Sequence, residues 1–250
     1  MRTLQILMPL AGLGQRFQDA GYATPKPLIP VDRLPMFQKA LKSFVNDKTG
    51  RECEIADIFS VIRQEHQDHF GLADLLRSAD KRMSVIIIPD KTRGAAETCM
   101  FARDQVDSEG GLVILDCDLW FQSNDYVDFI AANLIQENPE YSGALAYFTA
   151  NTPRYSFIKT VGDRVDEIAE KKMISDKAVI GAYFFSKARE FFDEAGLSLQ
   201  GGLVDTNEYY ISLVIARLLR KGRLFKCFKA TGYHSFGTPE ELNTYLGRKS

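Results

Sequence analysis

Along the first 150 residues, short continuous apolar runs alternate with runs whose apolar positions fall three and four apart. Leu4 to Leu10 is an apolar run ended by Ala11-Gly12, the pattern of a buried strand entering a tight loop. From Leu34 to Asn46 the spacing of Phe37, Leu41, Phe44 and Val45 predicts a helix. Ile55 to Ile62 reads as a second strand, with a helix over Gln64 to Arg77 after it. Met83 to Ile88 predicts a third strand and Ala95 to Gln105 a further helix. A fourth strand, Leu112 to Leu115, runs into Asp116-Cys117-Asp118. Asn124 to Ile135 then reads as helix and Gly143 to Phe148 as strand. Beyond residue 150 the rhythm changes. Tyr155 to Val161, Val165 to Ile168 and Ala178 to Phe185 are strand-like with short connections. Asn207 to Lys221 has the periodicity of a helix closed by Gly222, Arg223 to Ala230 that of a last strand, and Pro239 to Leu246 that of a terminal helix.

This order predicts an α/β fold with a mixed, mainly parallel sheet flanked by helices on both faces. No long linker, repeat or low-complexity tract divides the chain, so 1–250 reads as one domain in two halves, about 1–150 and about 151–250. Ligands of such sheets sit beyond the carboxyl ends of the strands. The glycine loop after the first strand and the acidic triplet after the fourth should therefore meet at one edge.

Charge and cysteine usage narrow the partners. Thirty-one Lys and Arg against 33 Asp and Glu leave a net charge of −2, without the basic excess of a protein that coats nucleic acid. Cys53, Cys99, Cys117 and Cys227 are scattered with no C-x-x-C pair, which suits a reducing compartment better than a disulfide framework or a zinc site. The apolar start is broken by Gln5 and Pro9, and no stretch approaches the length of a membrane span. A cytoplasmic protein without membrane or nucleic-acid partners is expected, and homo-oligomerisation stays open.

The loop Leu10-Ala11-Gly12-Leu13-Gly14-Gln15-Arg16 has the makings of an anion cradle. Its glycines let the backbone turn sharply and present N–H groups, and Arg16 and Lys26 add positive charge for phosphate oxygens. It lacks the third glycine of the dinucleotide fingerprint and the G-K-[ST] of a P-loop. Asp116 and Asp118, two apart at a strand end, point to one side and suit a divalent cation, Mg2+ or Mn2+, shared with phosphates. Asp118 is the preferred ligand.

Ala11-Gly12-x-Gly14-x-Arg16 followed by Pro25-Lys26 and Pro30-Val31 resembles the signature of the sugar nucleotidyltransferases, pyrophosphorylase-like enzymes of Rossmann-like GT-A type fold. The likeness continues in order along nearly the whole chain. Gly94-Ala95-Ala96-Glu97 is similar to the base-facing segment, and Cys117-Asp118 stands at the metal position. Glu170-Lys171 and Ile180-Gly181-Ala182-Tyr183 are similar to the acceptor-facing stretches, with Asn207-Glu208-Tyr209-Tyr210 and Gly237-Thr238-Pro239-Glu240 as late motifs. The resemblance implies transfer of a nucleotidyl group from an NTP to a phosphorylated small molecule with release of pyrophosphate. It places Arg16, Lys26 and Asp118 in catalysis, and Leu10, Ala11, Gly12, Gly14, Gly94 and Glu97 at the nucleotide. Glu170, Lys171, Gly181 and Asn207 fall at the acceptor, and Asp118 with Asp116 at the metal.

Two positions depart from the family pattern. A second metal carboxylate is expected just before the late Gly-Thr, and Ser235 stands there instead, leaving Asp116 to supply the charge or His234 to contact substrate. Glu97 falls where uridylyl- and thymidylyltransferases carry a base-reading Gln. A carboxylate only accepts hydrogen bonds, so an exposed amino group such as that of cytosine is favoured and CTP is the preferred nucleotide, with GTP next. Short relatives of this kind imply a role in bacterial surface-polysaccharide synthesis. A GT-A glycosyltransferase is the alternative, against which the triphosphate-gripping Arg16 and Lys26 count; a catalytically weak nucleotide-binding regulatory subunit is the other, motivated by Ser235. His66 and His69, three apart, read as a partly exposed helix face rather than a metal site. Cys117 reads as a small packing residue, Trp120-Phe121 as core or pocket lining, and Arg220, Lys221 and Arg223 as a solvated helix end.

Overall fold

In the computed structural model, residues 2–50, 52–202 and 208–248 are described. The first half contains β1 (Leu4–Pro9), α1 (Gln15–Asp19), β2 (Pro30–Val31), β3 (Leu34–Pro35), α2 (Met36–Leu41), β4 (Ile55–Arg63), α3 (Gln64–Phe70), α4 (Leu72–Ala79), β5 (Met83–Ile88), α5 (Ala95–Met100), β6 (Gly111–Leu115), β7 (Leu119–Gln122), α6 (Asn124–Ile135) and β8 (Gly143–Thr149). The second contains β9 (Ser156–Val161), β10 (Arg164–Glu170), β11 (Lys177–Phe185), α7 (Ala188–Gln200), α8 (Ile211–Arg220), β12 (Phe225–Lys229), β13 (Gly232–Ser235) and α9 (Pro239–Tyr245).

Both halves share one sheet of nine strands among the described residues, in the order β5-β4-β1-β6-β11-β8-β12-β10-β9. The block β5-β4-β1-β6 is parallel throughout, β11 joins it antiparallel to β6, and β8 and β12 form a further parallel pair. Strand alternation divides the core between the two faces. In β1, Leu4, Ile6 and Met8 pack with α2, α4 and α6, whereas Leu7 packs on the other face with α5, α7 and α8. This is the three-layer arrangement that the strand–helix alternation predicts.

Several predicted helices are shorter than their apolar spacing suggests. The run 64–77 breaks at Gly71, whose φ of 60° separates α3 from α4. Over 95–105 the helical bonds tighten from i−4 to i−3 at Phe101, Ala102 and Arg103, ending α5 at Met100. The run 34–46 starts after Pro35 and passes into a 3-10 turn at Lys42–Phe44. Helix α7 was not predicted, although Ala188, Phe191, Phe192 and Ala195 bury one of its faces.

Glu194 joins α7 to α8. Its side chain is 3% exposed and accepts from Arg217 Nε at 2.6 Å and from Lys221 Nζ. Burial raises this carboxyl, but the bonds from Lys221 and Arg217 outweigh burial and hold it below the ordinary value of 4.5. A lowered folded-state pKa gives stability that is present above the unfolded value and lost as pH falls through the folded one. Glu194→Gln is therefore expected to lose about 1–2 kcal/mol at neutral pH. Urea melts should show the gap to wild type closing as pH falls below the ordinary carboxylate value; a pH-independent gap would remove the ion pairs as its cause.

Candidate functional site

Strands β1 and β6 lie side by side, with Leu7 opposite Ile114, and end at the same level of the sheet. The chain leaving β1 at Leu10 and the chain leaving β6 at Asp116 are thereby brought to one edge. Leu10 is anchored by its N–H to the Val61 carbonyl at 2.9 Å. The N–H groups of Ala11, Gly12, Leu13 and Gly14 have no partner among the described residues, so they are available to an anion. Gly14 takes a φ of 64°, and a Cβ there would stand 3.3 Å from the Cβ of Lys26. That close approach sets Lys26 against the loop.

Lys26 Nζ donates to Asp118 Oδ2 at 2.5 Å. Burial lowers the Lys26 ammonium and raises the Asp118 carboxyl, but their mutual attraction prevails in both, keeping lysine charged and aspartate ionised. Asp116 has the opposite fate. Burial first, then the Asp118 charge, push its carboxyl up, with Lys26 compensating only in part. No side-chain or backbone donor reaches the Asp116 carboxylate among the described residues, although its N–H bonds the Gly181 carbonyl at 2.8 Å.

That carboxylate occupies the space a side chain on Gly181 would need. A Cβ at Gly181 would stand 2.0 Å from Asp116 Oδ2. Strand β11 makes the approach through a bulge. Val179 pairs with Tyr147 and Tyr183 with Leu145, so the three residues 180–182 face only one residue of β8. The predicted acceptor residue Gly181 thus lies under the acidic pair and gives Asp116 its room.

Two cavities meet at Lys26, Asp116 and Asp118. One, of about 300 Å3, lies under the glycine loop and is lined by Leu10, Gly12, Gly14 and His66. The other, of about 450 Å3, opens toward the second half and is lined by Arg16, Glu170, Lys171, Gly181 and Tyr183. In it Glu170 Oε2 accepts from Ser156 Oγ and from Ser212 Oγ, the latter at 2.6 Å. Lys171 Nζ donates to Tyr210 Oη at 2.6 Å, and its backbone adopts a φ of 51°. Such a conformation holds a lysine only where the surroundings fix it; its N–H is tied to the Tyr155 carbonyl at 3.0 Å.

Other expected site residues lie apart from this junction. The Ala11 side chain is buried within the loop and lines neither cavity. At Gly94 a Cβ would stand 2.6 Å from the Tyr209 backbone N and O, so this glycine serves the docking of its loop on Tyr209. Glu97 lines neither cavity and is engaged by Arg93, accepting from the backbone N–H at 2.5 Å and from Nε at 2.9 Å. Asn207 falls outside the described residues. His234 stacks on Trp120, with ring centroids 5.8 Å apart. His66 is 7% exposed instead of lying on a partly exposed face, because α3 turns it inward while His69 stays outside. All four cysteines are free and buried, and burial pushes the Cys117 thiol up to about 12.

Sequence reasoning missed what surrounds Ser235. Strand β13 pairs antiparallel with β7, placing Ser235 opposite Leu119 and next to Asp118. Ser235 Oγ donates to Glu241 Oε2 at 2.8 Å, and Arg154 pairs with the same carboxylate at 2.5 Å. A Cβ on Gly237 would lie 3.3 Å from both Asp118 Oδ2 and Glu241 Oε2. A carboxylate thus reaches this corner from α9, six residues after the position where the motif would put it. No linear spacing signals that.

Among the described residues, no group of three or more His, Cys, Asp or Glu side chains converges on a single cation position. The Asp116 carboxyl, compensated only in part by Lys26 and reached by no hydrogen-bond donor among the described residues, nevertheless suits a divalent cation shared with Asp118 and completed by phosphate oxygens.

No family profile matches the chain. The UTP–glucose-1-phosphate uridylyltransferase 2 of Streptococcus pyogenes serotype M3 is 26% identical over 216 residues, spanning 74% of this chain and 71% of that protein. Over that length the chain is similar to a glucose-1-phosphate uridylyltransferase. Solved structures carry the same fold. A nucleoside-diphosphate-sugar pyrophosphorylase from Vibrio cholerae RC9 superposes with a TM-score of 0.76 at 22% identity, covering 97% of this chain and 100% of the other. The inositol-1-phosphate CTP transferase of T. maritima gives 0.70 at 15% identity, covering 98% and 94%. Among the described residues, no helix is long and apolar enough to cross a membrane.

Proposed function

We propose that the protein transfers a nucleotidyl group from an NTP to the phosphate of a small phosphorylated acceptor, releasing pyrophosphate. The observation that carries this reading is the junction of two cavities at Lys26, Asp116 and Asp118. An acceptor phosphate oxygen entering from the Lys171 side and an α-phosphorus held under the glycine loop would meet there. Nucleophile and electrophile both come from substrates, so the protein's work is positioning and neutralising charge. The free loop N–H groups, Arg16 and Lys26 would hold the triphosphate and stabilise departing pyrophosphate. Lys171 would hold the acceptor phosphate, and Glu170, fixed by two serines, would accept from acceptor hydroxyls. Asp116 and Asp118 would hold a Mg2+ or Mn2+ ion, with Glu241 a further carboxylate on the same corner. Such an ion supplies charge neutralisation and alignment of phosphate oxygens.

The test is pyrophosphate release with each NTP against a panel of phosphorylated sugars, polyols and choline phosphate. No release in any combination, together with nucleotide binding, would refute transfer and leave a binding subunit. Among nucleotides we place CTP first, and among uses a role in bacterial surface-polysaccharide synthesis, where nucleotide-activated small molecules are consumed. The base preference depends on Glu97 turning from Arg93 to an exocyclic amino group. Replacing its acceptor-only carboxylate by an amide in Glu97→Gln should then shift the CTP-to-UTP ratio of kcat/KM about tenfold toward UTP. An unchanged ratio would mean that Glu97 serves only to hold Arg93.

A further inference from the structure

The nine-stranded sheet ends in β9 on one side and β5 on the other, and the two edges differ. Strand β9 is laddered to β10, meets β11 as well at Phe157 and Ala178, and carries the Lys159–Glu167 ion pair. Strand β5 has β4 alone. The Ile58 N–H donates to the Arg82 carbonyl at 3.1 Å, so even-numbered residues of this segment turn their backbone groups toward β4. Met83, Val85 and Ile87 therefore turn theirs outward. The outward Met83 N–H is held by the Asp80 carbonyl at 3.1 Å, and the Val85 carbonyl receives a long bond from Arg77 at 3.4 Å. The Val85 N–H and both backbone groups of Ile87 have no partner among the described residues. Charged side chains, prolines or bulges usually blunt such an edge. Here the middle of the strand is Val85, Ile86 and Ile87, with Ile87 38% exposed. Helix α4, which packs on β5, leaves Leu75 45% exposed beside it.

This edge is complementary to itself. In an antiparallel pair, outward-facing residues stand opposite outward-facing residues, so a two-fold axis must pass through a residue position and not between two. An axis at Val85 would set Asp80 against Asp90, and one at Ile87 would need the strand to run on past Pro89. An axis at Ile86 sets Val85 of each copy opposite Ile87 of the other, gives every unpaired Val85 and Ile87 N–H a carbonyl, and brings Arg82 opposite Asp90. Asp90 has no cationic partner among the described residues. Arg82 keeps N–H groups beyond those it gives to Asp80 and to the Ile55 carbonyl. Lys81 and Lys91 meet only one position farther out, each with an aspartate as its neighbour in sequence. We propose that β5 joins two copies of this chain in a symmetric dimer, the two β5 strands antiparallel about Ile86. Opposite charges at the two ends of one apolar strand select a second copy of the same chain as its partner. The dimer does not depend on the nucleotidyl-transfer reading, since no residue of β5 lines either cavity of the site.

Sedimentation velocity of the full chain at micromolar concentration should give a species of twice its 28.2 kDa. Ile87→Lys sets a charge opposite Val85 of the other copy and should raise the dimer dissociation constant about tenfold or more, with circular dichroism unchanged. Single cysteines read the register, because the four native cysteines are buried. Under diamide, Ile86→Cys should cross-link the two copies, since that position faces itself across the axis at a separation a disulfide can span. Val85→Cys and Ile87→Cys, each displaced from its own copy, should cross-link at about a tenth of that rate or less. A monomer at every concentration, a dimer unmoved by Ile87→Lys, or cross-linking faster at Val85→Cys or Ile87→Cys than at Ile86→Cys would overturn the assignment. If Ile87→Lys fails to fold, the wild-type mass and the three cysteine variants decide.

Discussion

Asp118→Asn is expected to slow pyrophosphate release by about a thousandfold while leaving the fold intact. The change keeps the side chain's shape and removes its charge. Its carboxylate is 24% exposed and contributes to no hydrophobic cluster, so the melting temperature should move little. Two losses act on the chemistry. The Lys26 ammonium, which donates to Asp118 at 2.5 Å, loses the partner that fixes its position between the two cavities. The corner occupied by Asp116 and Asp118 loses the charge that would hold a cation against phosphate. Removing one preorganised electrostatic group from a phosphoryl or acyl transfer site costs about 10²–10³ in rate, and two coupled losses belong at the upper end. Steady-state assays at saturating Mg2+ would decide, and a variant keeping a tenth of the wild-type rate would take Asp118 out of the reaction.

Gly181→Ala should do comparable damage from beneath the site. The added methyl would stand 2.0 Å from Asp116 Oδ2 and 2.7 Å from its Cγ. Neither backbone can yield easily, because Asp116 N–H bonds the Gly181 carbonyl and β11 is laddered to β6 from Ala182 to Phe185. The carboxylate must therefore rotate out of its place. We expect activity to fall about a hundredfold or more, with an overpacking cost of about 1–3 kcal/mol. The cause is separable in a double-mutant cycle. Asp116→Ala in the Gly181→Ala background should restore most of the stability and none of the activity. If the double variant is no more stable than Gly181→Ala alone, the clash is not with Asp116.

How much of this was legible in the chain follows from how local each feature is. Strands β4, β5 and β6 are apolar runs bounded by turns or helices, and the run pattern alone finds them, although edge strand β5 buries only Met83 and Ile88. Helix α7 hides because its polar residues Arg189, Glu190, Asp193 and Glu194 interrupt the apolar ones, and Glu194 finds its partners in Arg217 of α8 and Lys221 just after it. Strands β7 and β13 are four residues each and acquire meaning only from one another, more than a hundred residues apart. In the site, the glycine loop with Lys26 and the acidic pair with Asp118 were readable because each is a contiguous motif at a strand end. The part played by Gly181 was not, since a glycine that makes room for a distant carboxylate looks the same in sequence as one in any turn. The serines at Glu170 and Glu241 at Ser235 are likewise tertiary arrangements without a linear pattern.

The bulge at residues 180–182 also separates two design problems. On one side of it, β11 keeps register with β6 and hence with the four parallel strands that carry the glycine loop. On the other, Lys177, Ala178 and Val179 pair with β8 in a different phase. Extra residues at that point absorb any slip between the two ladders. Changes of length or sequence before the bulge should therefore leave the phase of β6, which leads into Asp116, undisturbed. Chimeras joined at 180–181 should tolerate a foreign partner sequence better than chimeras joined anywhere within the strict ladder from Ala182 to Phe185.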